Sequence, residues 1–106
     1  MLSFGIRDLR EKIGSYTAQA EAGSISIITR NGTPLTVNIP FDDTLVRLGA
    51  HKALAVKLYE EGVLTLSKSA KLAEMPMDEF IAVLGSAGVS VFGYDNDDIQ
   101  EELDKF

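Results

Sequence analysis

The chain has 106 residues, no cysteine and one histidine; 45% of its residues are hydrophobic, 25% are charged, and the formal net charge is −6. This composition excludes a disordered polar chain, a disulfide scaffold and thiolate chemistry, and leaves room for one small domain or two very small ones. No apolar run nears the roughly 20 residues of a bilayer-spanning helix, and no secretory leader pattern opens the sequence, so a cytoplasmic protein without membrane contact is expected.

The first six residues, Met-Leu-Ser-Phe-Gly-Ile, read as a short strand. From Arg7 to Glu21 the apolar positions Leu9, Ile13, Tyr16 and Ala20 recur at helical spacing, predicting an amphipathic helix that stops at Gly23. Ser24 to Arg30 is rich in β-branched residues and reads as a strand. Asn31-Gly32 predicts a type I′ hairpin turn, because both central residues of that turn need positive φ. The return strand alternates, with Leu35, Val37 and Ile39 on one side and Thr36 and Asn38 on the other. Pro34 and Pro40 bound it, which suits an edge strand.

From Asp42 onward the pattern is helical. Thr44 to Glu61 reads as a helix, with Gly49 as a kink or break and Gly62 as its end. A second helix is expected over about Ser67 to Glu74, with Ser67 as N-cap. Pro76 suits the first turn of a third, which carries Phe80, Ile81, Val83 and Leu84 and stops near Gly85 to Gly88. Val89, Val91 and Phe92 form a small extended piece, and Asp95 to Lys105 an acidic last helix. The fold class is therefore α+β: a β-α-β-β half over residues 1–41 and an all-helical half over 42–106. With no disulfide staple, a chain this small gains stability by dimerising.

The charge divides unevenly between these halves. Residues 1–41 hold four basic residues (Arg7, Arg10, Lys12, Arg30) against three acids, whereas residues 42–106 hold six against thirteen. On a helical wheel Arg7, Arg10, Gly14 and Thr17 fall opposite the apolar stripe. Two arginines in a first helical turn oppose the macrodipole and suit a phosphate, and Arg30 at the hairpin tip adds a third cation. The plainer alternative is a solvated face whose arginines are screened by Asp8 and Glu11.

In the helical half, the third helix carries only Asp78 and Glu79 as charged residues, and no Lys or Arg stands between Leu72 and Asp104. Reading of a DNA groove by that helix is therefore not expected, because base edges and phosphates need donors there. Lys68 and Lys71 remain possible phosphate contacts. Protein contact is the expected role of this half, with Phe80, Val91, Phe92 and Tyr94 as aromatic and apolar anchors or, alternatively, as core. Asp95, Asp97 and Asp98 do not make a calcium loop, since Ile99 and Gln100 fall where a ligand and a glycine belong. They cap and charge a helix start instead. With six acids in residues 95–104, the tail also suits a basic cleft on a partner. His51 alone supports neither a triad nor a metal centre, so no enzyme activity, metal, cofactor or small-molecule substrate is expected.

The stretches Ile6-Arg7-Asp8-Leu9-Arg10-Glu11-Lys12-Ile13-Gly14, Glu21-Ala22-Gly23 and Ile27-Ile28-Thr29-Arg30-Asn31-Gly32-Thr33-Pro34-Leu35 resemble the Phd/YefM antitoxin family. That resemblance implies a dimeric β-α-β-β domain that binds the operator of its own operon, with Arg7, Arg10, Lys12 and Arg30 as DNA contacts. Residues from about 50 to 104 depart from that family's single long helix. With Leu58-Tyr59-Glu60-Glu61-Gly62, Ser69-Ala70-Lys71-Leu72-Ala73 and Phe80-Ile81-Ala82-Val83-Leu84-Gly85, they are similar to small helix-turn-helix-like proteins encoded beside PIN-domain toxins. Together the two resemblances imply an antitoxin of a type II toxin-antitoxin system. It would be a homodimer that represses its own operon by binding operator DNA. It would also neutralise a cognate toxin, a PIN-domain ribonuclease being favoured, through Phe92, Tyr94, Asp95, Asp97 and Asp98. The alternative is a stand-alone transcriptional regulator with no toxin partner.

Overall fold

The computed structural model describes residues 1–91. Three strands, β1 (Leu2–Gly5), β2 (Ser26–Arg30) and β3 (Thr33–Asn38), and four helices, α1 (Ile13–Glu21), α2 (Asp43–Glu60), α3 (Leu66–Leu72) and α4 (Met77–Ser86), follow in the order β-α-β-β-α-α-α. The architecture is α+β, with a small sheet followed by a helical region.

The sheet has the order β1-β2-β3. β1 runs parallel to β2, which requires a crossover, and the segment from Ile6 to Ile25 with α1 supplies it. β3 is antiparallel to β2, joined through Asn31 (φ 50°) and Gly32 (φ 78°), the two left-handed residues a type I′ turn demands. The register sets Phe4 beside Ile28 and Ile28 beside Thr36, and α1 lies over this row, where the Tyr16 ring meets Phe4 edge-on at 6.0 Å. On the other face Ser3, Ile27 and Val37 align. Val37 is 45% exposed and its neighbour Leu35 48%, so this face is open along the edge strand β3.

The first helix is shorter than its periodicity predicts. Residues 6–12 form a series of turns, closed by Asp8 N–H to Gly5 and by Lys12 N–H to Asp8 and Leu9, and α1 begins only at Ile13. This start is a weak one: Lys12 stands at the N-cap position without an acceptor side chain, and no acid occupies the first helical turn. Within the expected stripe Leu9 and Tyr16 are half-buried, whereas Ile13 is 52% exposed and Ala20 is also exposed. A three-stranded sheet is too narrow to cover that stripe.

The helical core is built on Val56, Tyr59, Leu66, Ala70, Met77, Phe80 and Leu84. Phe80 is wholly buried in it, which makes it core rather than a surface anchor, and Val91 packs against the same cluster. Asp42 caps α2 by accepting from Leu45 N–H at 3.0 Å. Gly49, at φ 81° and ψ 165°, breaks α2 into residues 43–48 and 50–60. The first piece is fastened by Arg47, which donates to Asp43 and to the Ser86 carbonyl at the end of α4. The cap of α3 is Thr65, accepting from Lys68 N–H, and not Ser67, so this helix starts and ends earlier than expected. Residues 92–106, with the expected acidic helix, lie outside the described residues.

Buried polar contacts join the sheet to α2. Lys57, at 6% exposure, donates to the Gly23 carbonyl at 2.9 Å and to Asp42 at 2.7 Å. One turn further on, Glu61 accepts from Ile25 N–H at 3.2 Å and lies 3.0 Å from the Met1 ammonium. Burial pushes the Asp42 carboxyl up, but the Lys57 hydrogen bond, the Leu45 N–H and the Lys57 charge outweigh it, so Asp42 titrates below its ordinary value.

Candidate nucleic-acid interface

The parallel pairing of β1 with β2 sets Gly5 opposite Thr29, and Ile6 N–H continues the ladder to the Thr29 carbonyl at 2.8 Å. The next residues on the two strands therefore leave the sheet side by side. Arg7 opens the turn series after β1, and Arg30 closes β2 at the hairpin tip. Between them lies a cleft of about 250 Å³, lined by Gly5 to Asp8 on one side and Thr29 to Gly32 on the other. Two arginines 23 positions apart in sequence thus share one opening at the end of the sheet. Both are exposed.

Arg10 and Lys12 are also exposed, on the turn series that begins at Arg7, but they do not line the cleft. Among the described residues none of the four cations has an ion pair or a side-chain hydrogen bond, so Asp8 and Glu11 do not neutralise the arginines by pairing. Asp8 does face into the cleft, since a Cβ at Gly5 would stand 3.1 Å from its carboxylate. The cleft is therefore lined by two arginines, whose guanidinium groups can each grip an oxyanion bidentately, and by one carboxylate. Gly14 and Thr17 lie on the exposed side of α1, where Thr17 donates to the Gly14 carbonyl at 3.0 Å.

Because α1 starts at Ile13, Arg7 and Arg10 do not stand on a helix N-terminus. Their suitability for phosphate rests on the strand register and not on the macrodipole. In the helical region Lys68 and Lys71 are exposed on α3, and α4 presents Asp78, Glu79 and Ala82 to solvent. His51 is exposed on α2 and bonds through its ring Nε2 to the Leu72 carbonyl. Among the described residues no three His, Cys, Asp or Glu side chains gather to hold a metal ion, and no helix is long and apolar enough to cross a membrane. Phe92, Tyr94, Asp95, Asp97 and Asp98 lie outside the described residues.

The polar joint of Lys57, Asp42 and Glu61 escaped the sequence reading. The available signal was the spacing Ala53, Lys57, Glu61, which repeats every four residues on the buried side of α2.

The sequence model of the family described as "Uncharacterised protein family (UPF0175)" matches residues 34–106, from β3 to the end of the chain. The cleft residues precede the match. No curated protein and no solved structure matches the chain.

Proposed function

The chain belongs to the uncharacterised protein family UPF0175, a description that assigns no activity, and from the geometry we propose that it is a DNA-binding antitoxin. The supporting observation is the meeting of Arg7 and Arg30 in one exposed cleft with no ion-pair partner. Unpaired, exposed arginines at a sheet end suit backbone phosphates, which position a protein on a duplex without reading its sequence. In this reading Arg10 and Lys12 extend the phosphate contacts along the turn series. A second copy, packed on the open face carrying Leu35 and Val37, doubles the cationic surface and offsets the weak positive excess of one N-terminal half.

The helical region serves a protein partner. Its exposed α4 face is acidic and lacks donors for base edges. The tail residues Phe92, Tyr94, Asp95, Asp97 and Asp98 contact the toxin, favoured to be a PIN-domain ribonuclease, and the operator-bound complex represses its own operon. The test is a mobility-shift titration with the DNA upstream of the gene, together with co-purification of the product of the adjacent reading frame. Retardation of that DNA and capture of a ribonuclease are expected. Retardation without capture would favour a stand-alone regulator, and no retardation would overturn the DNA-binding half of the proposal.

A further inference from the structure

The arginine cleft holds one group that phosphate binding does not use. Asp8 lines it beside Arg7, on the wall opposite Arg30. Asp8 is exposed, and among the described residues its side chain has no ion pair and no hydrogen bond, so both carboxylate oxygens are free to accept. The turns around it are closed by backbone bonds: Asp8 N–H donates to the Gly5 carbonyl, and Glu11 N–H and Lys12 N–H donate to the Asp8 carbonyl. Gly5, lacking a Cβ, leaves the room that the carboxylate occupies. Toward a phosphate oxygen this acid is only repulsive.

We propose that Asp8 reads a base, accepting a hydrogen bond from the N4 amino group of a cytosine in the major groove. Resting on the DNA-binding reading above, this role adds sequence discrimination to a site so far assigned only phosphate contact. The backbone of DNA offers acceptors and no donors, because within a strand its phosphates and deoxyriboses carry no N–H or O–H. Donors come from the bases. In a paired duplex those left exposed are the exocyclic amino groups: cytosine N4 and adenine N6 in the major groove, guanine N2 in the minor groove. An unpaired carboxylate in a DNA-binding cleft is therefore complementary to a base amino group and to no other part of the duplex.

Two features select among these amino groups. Arg30 ends β2 and Asn31-Gly32 turns the chain into β3, so one wall of the cleft is the exposed tip of a two-stranded ribbon. Such a ribbon fits the major groove, whereas the minor groove is about half as wide, which leaves cytosine and adenine. Adenine places the N7 acceptor beside its N6 amino group, and a carboxylate, which only accepts, is repelled by N7. Cytosine has no acceptor beside N4 on its major-groove edge. Arg7 and Arg30, which only donate, keep to the phosphates.

The test is selection by the full chain from a randomised duplex DNA library, followed by affinity titration of the selected duplexes. The wild type should enrich cytosine at one position per bound copy, and replacing that cytosine should lower affinity about 5- to 100-fold. Asp8→Asn should move the preference at that position to adenine, because a carboxamide pairs with N6 and N7 together. Asp8→Ala should flatten the position and raise affinity for the other duplexes, since the repulsion is gone. Glu11→Gln, which removes an acid that does not line the cleft, should leave the preference unchanged. The far-UV circular dichroism of every variant should match the wild type. Retardation of DNA by the wild type with no base enriched, or the same bases enriched by the wild type, Asp8→Asn and Asp8→Ala, would overturn the role of Asp8 and leave the DNA-binding reading standing. No retardation of any duplex by the wild type would overturn that reading and the role of Asp8 with it.

Discussion

The ammonium of Lys57 sits 2.7 Å from the Asp42 carboxylate, with only 8% of the lysine side chain and 34% of the aspartate side chain accessible. The same ammonium donates to the Gly23 carbonyl, where the crossover leaves α1 for β2. One cation thereby holds the end of α1 against the start of α2. Removing Asp42 removes a helix cap and leaves a buried charge unpaired, whereas removing Lys57 leaves a carboxylate that still reaches water. Asp42→Ala should therefore cost about 3–5 kcal/mol, and Lys57→Met less, at about 1–2 kcal/mol. Urea denaturation of both variants and of the double variant checks the order and the coupling.

The pH dependence of that pair has a definite sign. The native Asp42 carboxyl titrates below its ordinary value of 3.8, so its contribution is complete above that value and is lost as the pH falls through the lower native one. Asp42→Asn should melt below the wild type at pH 6, and the gap should narrow below about pH 4. Melting curves across that range measure it.

The helix ends make a second stability prediction. Gly23, Gly62 and Gly88 each follow a helix with positive φ and close it by backbone bonds to its last turn, such as Val63 N–H to Leu58 and Val89 N–H to Leu84. After α3 the same geometry falls on Glu74, at φ 57°, with Met75 N–H bonded to the Ala70 carbonyl. A left-handed residue with a side chain costs about 1–2 kcal/mol, so Glu74→Gly should stabilise the chain by about 1 kcal/mol. Gly49→Ala should do the opposite by about 1–3 kcal/mol, because φ 81° with ψ 165° is a conformation open to glycine alone. Chemical denaturation midpoints distinguish the two.

Local chemistry was legible in the sequence wherever one residue type dictates one backbone shape. Asn31-Gly32 marked the hairpin, Gly49 the break in α2, and Pro76 the start of α4. The start of α1 was not legible, because apolar spacing extends through Leu9 whether or not the backbone is helical there, and residues 6–12 close into turns instead. Thr65 and Ser67 are both hydroxyl residues able to cap α3, and only the chain's path selects Thr65. Lys57 reads as a surface residue until Asp42 and Gly23 are folded onto it. The same holds for the candidate site: each arginine was identifiable as a candidate phosphate contact, with screening by Asp8 and Glu11 left open, but the meeting of Arg7 and Arg30 follows from the pairing of Gly5 with Thr29, a contact between distant segments.

Self-association gives a further check. Val37 and Leu35 are about half exposed on the open face of the edge strand, so burying that face in a homodimer gains hydrophobic free energy at no cost to the fold of one chain. Val37→Glu should shift the sedimentation profile from dimer toward monomer while retaining the circular dichroism of the wild type. A wild-type chain that sediments as a monomer at high concentration would contradict the dimer.

The central claim is that the cleft shared by Arg7 and Arg30 holds DNA phosphate, and the salt dependence of DNA affinity tests it most directly. Log K against log salt should fall steeply for the wild type. Arg7→Ala and Arg30→Ala should each lower affinity for every sequence alike and reduce the slope by about one per lost phosphate contact. An unchanged slope in the double variant, with the fold intact, would contradict the account.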